Sequence, residues 1–354
     1  MTRSRGSVDA CPRRSPAPSA SCLRAFVAPP LARAARTQGA LRTHGALAFT
    51  VALIALGSSA RAEPAPPGLE LAALAPPPGD DARKAVALGP TGQVFEPDGA
   101  GGWVRGHAIT TADRLSLVGR AGGQIVALGD GVVFRLAPNG WTAIRIIMKG
   151  KATISTGPRS VAAIGRQLFA IDRAAAGEPT KLALAPSAVL AIGTGKGTVI
   201  ALDRGLFRVD GARLTAIKRV PRRVDRLVSD RWALVATGAL DLASGKTTPW
   251  PTGVKIATAA SGPTDSLVAV ATVAAGSSRG LELVTLAGTK LVRDRLPDGI
   301  TGSAVGVAVD TSGRAVIALR DGRLAVRERG TWTVVGVREA LPPPHPGSPP
   351  ATSP

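Results

Sequence analysis

An all-β chain of repeated four-stranded units is the fold the sequence predicts, and three observations predict it. From about residue 82 to residue 338, short apolar runs rich in Val, Ile, Leu and Ala alternate with turns bearing Gly, Asp or Asn. No apolar stripe in that span follows the 3.6-residue period of an amphipathic helix. One phrase, an apolar run, a tight polar turn and a second apolar run, recurs seven times.

The copies are VALGPTGQVF (86–95), VALGDGVVF (126–134), AAIGRQLF (162–169), IALDRGLF (200–207) and LVATGALDL (234–242), then the weaker VAVATVAAGSSRGLELV (268–284) and VIALRDGRLAV (316–326). Taking Phe95, Phe134, Phe169, Phe207, Leu240, Leu283 and Leu324 as equivalent puts the copies 33 to 43 residues apart. A four-stranded propeller blade occupies about 40–45 residues or slightly fewer. The expectation is a seven-bladed β-propeller, with six or eight blades as alternatives. A sandwich or a linear solenoid would use the same strand chemistry. A sandwich does not ordinarily repeat one phrase at near-constant spacing, and a linear stack leaves apolar edges that radial closure protects.

The segments follow in order. Residues 1–44, rich in Arg, Ala, Pro and Ser, read as a disordered basic lead or a misassigned start. Residues 45–62 (GALAFTVALIALGSSARA) have the basic, apolar, small-residue order of a signal peptide. Arg36, Arg42 and His44 precede the apolar run 46–56, and Ala60-Arg61-Ala62 closes it, so cleavage is expected after Ala62. Eleven apolar residues at about 1.5 Å each cannot span a hydrocarbon core of roughly 30 Å. The cleaved product is therefore expected to be secreted or periplasmic, without stable membrane insertion. Residues 63–81 form a Pro-rich flank in which LELAALA (69–75) supplies a possible first strand.

Residues 82–338 are the propeller. Its second copy shows four strands, RLSLVG (114–119), QIVALG (124–129), VVFRLAP (132–138) and WTAIRII (141–147), joined by AGG, Asp130-Gly131 and Asn139-Gly140. Asp-Gly and Asn-Gly favour two-residue hairpins because both central residues take positive φ. The last copy repeats the plan with AVGVAVD, RAVIALR, RLAVRER and TWTVVGV. Residues 339–354 read as a disordered Pro-rich tail. The final strand ends near Val337, so closure is expected to rest on side-chain packing between the first and last blades.

The triplets GGW (101–103), NGW (139–141) and GTW (330–332) open outer strands with tryptophan. In this the span 69–338 resembles secreted bacterial propellers, in particular Asp-box and photosystem-assembly-factor-like architectures with degenerate repeats. EPDGAGGW (96–103) keeps Asp98 and Trp103 at Asp-box spacing, while Glu96 and Ala100 replace the usual hydroxyl residue and glycine. The Trp-Asp repeat signature is absent.

Composition limits the chemistry. The chain has 354 residues, formal net charge +20, three histidines, two cysteines and no tyrosine. Cys11 and Cys22 precede the cleavage site, so the mature chain offers no disulfide and no thiolate metal site. Of its histidines only His107 and His345 remain. No metal and no cofactor are expected: no Asp-x-Asp-x-Asp-Gly loop occurs, and Asp98, Asp130, Asp203 and Asp321 sit singly at hairpins, where aspartate bonds nearby backbone. GTGKGT (193–198) lacks the first glycine and final hydroxyl residue of a phosphate loop and lies between two strands, so it reads as a hairpin. A tyrosine nucleophile is unavailable, and a serine nucleophile would have only His107 as base.

One cluster stands out. Lys218, Arg219, Arg222, Arg223, Arg226 and Arg231 lie around the connection between the fourth and fifth copies. In propellers such connections share a face with the loops between second and third strands. The resemblance therefore implies a basic face of Arg166, Arg204, Arg219, Arg222, Arg223 and Arg279, with Lys149 and Lys151 adjoining. Clustered charge of one sign attracts an anionic partner. Export and the shortage of aromatic side chains argue against nucleic acid. Trp250, between two prolines, is the tryptophan that reads as loop-borne and available for contact.

The expected function is an exported, non-catalytic, monomeric interaction platform for a protein or an anionic component of the cell envelope. The alternatives are a hydrolase or lyase with carboxylates and arginines at the channel mouth, and a basic binder of anionic envelope polymers.

Overall fold

The computed structural model describes residues 69–339 apart from 78, 107–114, 122–123, 130–131, 138–139, 145–150, 156–158, 160, 172–178, 222 and 276–277. All of these belong to one compact unit, Ser59–Pro354. The basic lead, the leader 45–62, His107, Lys149, Arg222 and the tail after 339 lie outside the described residues, as do the Asp130-Gly131 and Asn139 turns.

The strands follow the chain in groups of four. The first group is β1 (Ala73–Ala75), β2 (Val86–Leu88), β3 (Val94–Pro97) and β4 (Trp103–Arg105). The second is β5 (Leu115–Ala121), β6 (Gln124–Gly129), β7 (Val132–Ala137) and β8 (Gly140–Ile144). The third is β9 (Ala152–Ile154), β10 (Val161–Ile164), β11 (Gln167–Ala170) and β12 (Thr180–Leu184). The fourth is β13 (Ala191–Thr194), β14 (Thr198–Leu202), β15 (Gly205–Asp210) and β16 (Arg213–Ala216). The fifth is β17 (Arg226–Leu227), β18 (Trp232–Val235), β19 (Gly238–Asp241) and β20 (Lys246–Pro249). The sixth is β21 (Val254–Ser261), β22 (Leu267–Ala275), β23 (Ser278–Ala287) and β24 (Lys290–Arg295). The last is β25 (Ala304–Val309), β26 (Ala315–Leu319), β27 (Arg323–Glu328) and β28 (Thr331–Arg338).

Within every group the strands pair antiparallel in sequence order. The repeated phrase forms the second and third strands each time, and the seven aligned residues from Phe95 to Leu324 all fall on third strands. Five of the groups stand as separate four-stranded blades, rather than the seven that the repeat predicts. The first and last groups are instead one eight-stranded sheet. The cause is β28, which runs on to Arg338 and pairs parallel with β4 at Val337↔Trp103 and Arg338↔Val104. Closure therefore has backbone pairing as well as side-chain packing. Leu71 N adds a hydrogen bond to Arg320 O at 2.9 Å.

Each group buries both faces, which explains why its middle strands read as unbroken apolar runs. Leu168, Ala163 and Val161 of the third group pack against Ile192, Ile200 and Leu202 of the fourth. Val199, Ala201 and Leu206 of the fourth pack against Leu227, Ala233 and Leu240 of the fifth. The same pattern joins the second group to the third and the fifth to the sixth. Each fully buried Leu, Ile or Phe in these layers contributes about 1.5–3 kcal/mol.

First strands approach the neighbouring group so closely that two positions require glycine. A Cβ on Gly193 of β13 would overlap the Ser229 carbonyl, and one on Gly306 of β25 would overlap Leu74. First strands also take up register shifts, at Leu115/Leu117, Ile256/Thr258 and Ala304/Gly306. Such bulges raise local twist, as blades splaying outward from an axis need.

Candidate functional site

Antiparallel meanders fix which loops share an end of the ring. The turn from second to third strand and the connection leaving the fourth strand lie at one end, called here the connection end. First-to-second and third-to-fourth turns lie at the other, the turn end.

Arg166 occupies the turn between β10 and β11, and Arg204 the turn between β14 and β15. Arg219 and Arg223 belong to the connection from β16 to β17. Arg279 lies near the start of β23, its side chain outside the described residues, as is all of Arg222. Arg166, Arg204, Arg219 and Arg223 are exposed. No described hydrogen bond or ion pair joins any two of them. The Arg166 Nε donates to Ala185 O at 2.8 Å, tying the hairpin to its own group's exit. Lys151 is exposed beside it, its carbonyl accepting from Gly165 N at 3.0 Å. Arg219 departs from the face. It takes φ 60°, and its carbonyl lies 3.3 Å from where a Cβ of Gly245 would sit, in the turn between β19 and β20. The connection thus dips along the flank toward the turn end.

Sequence reasoning missed Arg320. It is exposed between β26 and β27, at the place in the repeat that Arg166 and Arg204 occupy. The signal was present in VIALRDGRLAV, whose turn begins with this arginine. Among the described residues Arg204, Lys218, Arg219, Arg223 and Arg320 have no ion-pair partner.

Charges at the turn end are mostly paired. Asp310, its side chain fully buried, accepts from Ala82 N at 3.3 Å, Ser312 N at 3.0 Å and Ser312 Oγ at 2.6 Å. It also takes Arg314 N at 3.0 Å and Arg314 Nε at 2.7 Å. Burial pushes its pKa up, but these donors outweigh it and leave the pKa below the usual carboxylate range. Asp81 is held low chiefly by Arg83, with Arg314 adding to it. Asp80 accepts from Thr311 N at 2.8 Å and from the Thr311 hydroxyl. Lys196 reaches from the fourth group to Asp265 of the sixth at 2.8 Å, lowering the Asp265 pKa and raising its own.

Here carboxylates and arginines do gather, as the enzyme alternative requires. Asp81, Asp310, Arg83 and Arg314 nevertheless spend their bonds on bracing their own turns and on joining the first group to the last, the latter through Ala82 N to Asp310, Arg314 to Asp81 and Arg83 to Glu328. Among the described residues no three of His, Cys, Asp and Glu converge as a metal site would need. GTGKGT forms the hairpin between β13 and β14, with Gly197 N donating to Asp230 at 2.6 Å.

The tryptophans serve packing. Trp103 donates to Ala85 O at 2.9 Å, Trp141 to Gly92 O at 2.8 Å and Trp232 to Asp265 O at 2.7 Å. Trp250 is half-buried against apolar residues of the fifth and sixth groups, so the contact role its loop position suggests gives way to packing. Asp98 closes its turn through Ala100 N at 2.8 Å and Gly102 N at 2.9 Å, bonds that hold its pKa low.

Neither a protein-family model nor a curated protein matches the chain. Among solved structures, the WD40 β-propeller domain of Doa1 superposes with a TM-score of 0.52 at 12% identity, covering 77% of this chain and 98% of that one. A streptogramin B lyase superposes with a TM-score of 0.49 at 11% identity, covering 73% of this chain and 92% of that one. A glucose dehydrogenase gives 0.39 at 14% identity, covering 76% and 99%. The likeness to the Doa1 domain is one of fold: the chain is a β-propeller.

Proposed function

We propose that the protein is an exported, monomeric, non-catalytic interaction platform of the cell envelope. Its connection end receives a protein or another anionic partner. In this reading the two halves of the eight-stranded sheet act as separate blades, which makes the ring seven-bladed. The observation that carries it is the contrast between the two ends. Asp81, Asp265 and Asp310 of the turn end already hold cations, whereas Arg204, Arg223 and Arg320 stand exposed without an ion-pair partner among the described residues. Exposed cations that no carboxylate holds raise the local positive potential and speed encounter with the opposite sign.

Poly-glutamate is a direct probe. The full chain should bind it at low salt, with affinity falling steeply as ionic strength rises. Arg204→Glu combined with Arg223→Glu and Arg320→Glu should weaken binding about tenfold or more, equivalent to about 1.4 kcal/mol, and leave the melting temperature unchanged. Salt-insensitive binding, or equal affinity in the triple variant, would overturn the reading. Export is tested separately: N-terminal sequencing of the protein recovered outside the cytoplasm should begin at Glu63.

A further inference from the structure

The connection from β12 to β13 lies between the hairpins that carry Arg166 and Arg204, and it has an unusual surface. Residues 182–191 read LALAPSAVLA, without one charge in a chain of net +20. Exposure alternates along it: Leu184, Pro186, Ala188 and Leu190 face water, while Ala183, Ala185 and Val189 are buried. Leu184 is 61% and Leu190 49% exposed, and only Val132 and Val292 are comparable large apolar side chains among the described residues.

This ridge is held in place. Ala185 N donates to Arg166 O and Val189 N to Gly165 O, both at 2.8 Å, and Leu190 N donates to Ala201 O at 2.9 Å. With Arg166 Nε bonded back to Ala185 O, four hydrogen bonds fix the backbone while its apolar side chains point outward. A pinned segment cannot fold its leucines away from water, so a partner that covers them gains apolar burial at little ordering cost. On its borders stand the cations Arg166, Arg204 and Lys151, all exposed. Apolar centre and cationic rim are the complement of one chemistry.

We infer that this ridge docks an acidic segment of a partner protein that carries large apolar side chains. The leucines would supply the anchoring contact, and Arg166 and Arg204 would set orientation and discriminate against basic sequences. The inference rests on the basic connection end proposed above and adds to it a place and a kind of partner.

Two labelled peptides test it by fluorescence anisotropy with the full chain, one of Asp and Glu residues bearing two leucines and one with those leucines replaced by serine. Poly-glutamate provides a third arm. The leucine peptide should bind about tenfold more tightly than the serine peptide. Leu184→Ser with Leu190→Ser should abolish that difference and leave poly-glutamate affinity unchanged. Both positions are exposed, and an unchanged melting temperature verifies folding. Arg166→Glu with Arg204→Glu should weaken both peptides. Equal affinity for the two peptides, or a leucine preference that survives in the double-serine variant, overturns the docking site while salt-sensitive poly-glutamate binding upholds the basic end. Failure of all three probes overturns both.

Discussion

Asp310 shows how much one side chain can hold when its partners come from distant parts of the chain. Its two oxygens serve donors on Ala82, Ser312 and Arg314, and Ala82 is separated from it by 228 positions. Replacing it with alanine strands those donors and leaves the Arg314 guanidinium without its main partner. A loss of about 3 kcal/mol in unfolding free energy is expected by urea titration, since breaking a buried charged pair from one side costs more than the pair contributes. The sign with pH follows from linkage. Asp81, Asp98, Asp265 and Asp310 all have depressed folded pKa values. Their stabilisation is complete above the unfolded aspartate value of about 3.9 and is lost as pH falls through the folded values. Urea midpoints should therefore hold steady from pH 7 to about pH 5 and decline below about pH 4, with a shallower decline in Asp310→Ala. Asp98 was legible in the sequence because a lone aspartate before glycine announces a turn by itself. Asp310 was not, because its importance depends on a backbone amide contributed by another group.

Elements divide along the same line between local and distant causes. The meander inside each group was readable because glycine turns and apolar runs are local signals, and β5 to β7 fall within a residue or two of their expected limits. Closure was misread. The β28–β4 contact has two residue pairs and no turn chemistry of its own, so nothing in the composition marks it. Val337 lies at its centre, fully buried in the layer shared by the first and last groups. Val337→Asp would place a carboxylate among Trp103, Leu324 and Val326, and about 3 kcal/mol or more of stability should be lost in denaturant titration. A leucine there tests packing alone and should cost about 1–3 kcal/mol by crowding. Gly193 probes the axis in a complementary way. Gly193→Ala must push its methyl into the backbone of the next group, and because a carbonyl cannot swing aside like a side-chain tip, destabilisation of about 1–3 kcal/mol is expected.

At the scale of the molecule, the repeat disclosed the ring, and antiparallel order then decided which residues share an end. Arg166 and Arg204 lie in turns between second and third strands, and a hairpin tip cannot leave the end its strands define. Antiparallel order did not fix Arg219, whose long connection is free to bend toward Gly245. Nor could it reveal the ridge at 184–190, since an uncharged apolar run reads as core until coordinates show alternate side chains facing water. Polarity between the ends is open to a control that general basicity would fail. Lys84 and Arg159 are exposed at the turn end, without ion pairs among the described residues. A chain that bound anions merely because it is basic would lose affinity equally when two cations are reversed at either end. If the connection end is the receiving surface, Lys84→Glu with Arg159→Glu should change poly-glutamate affinity less than about threefold. Arg204→Glu with Arg223→Glu, an identical change in net charge, should reduce it several times more, with a smaller slope of log affinity against log salt. Equal losses in the two variants would assign the attraction to total charge and remove the reason for placing a partner at one end.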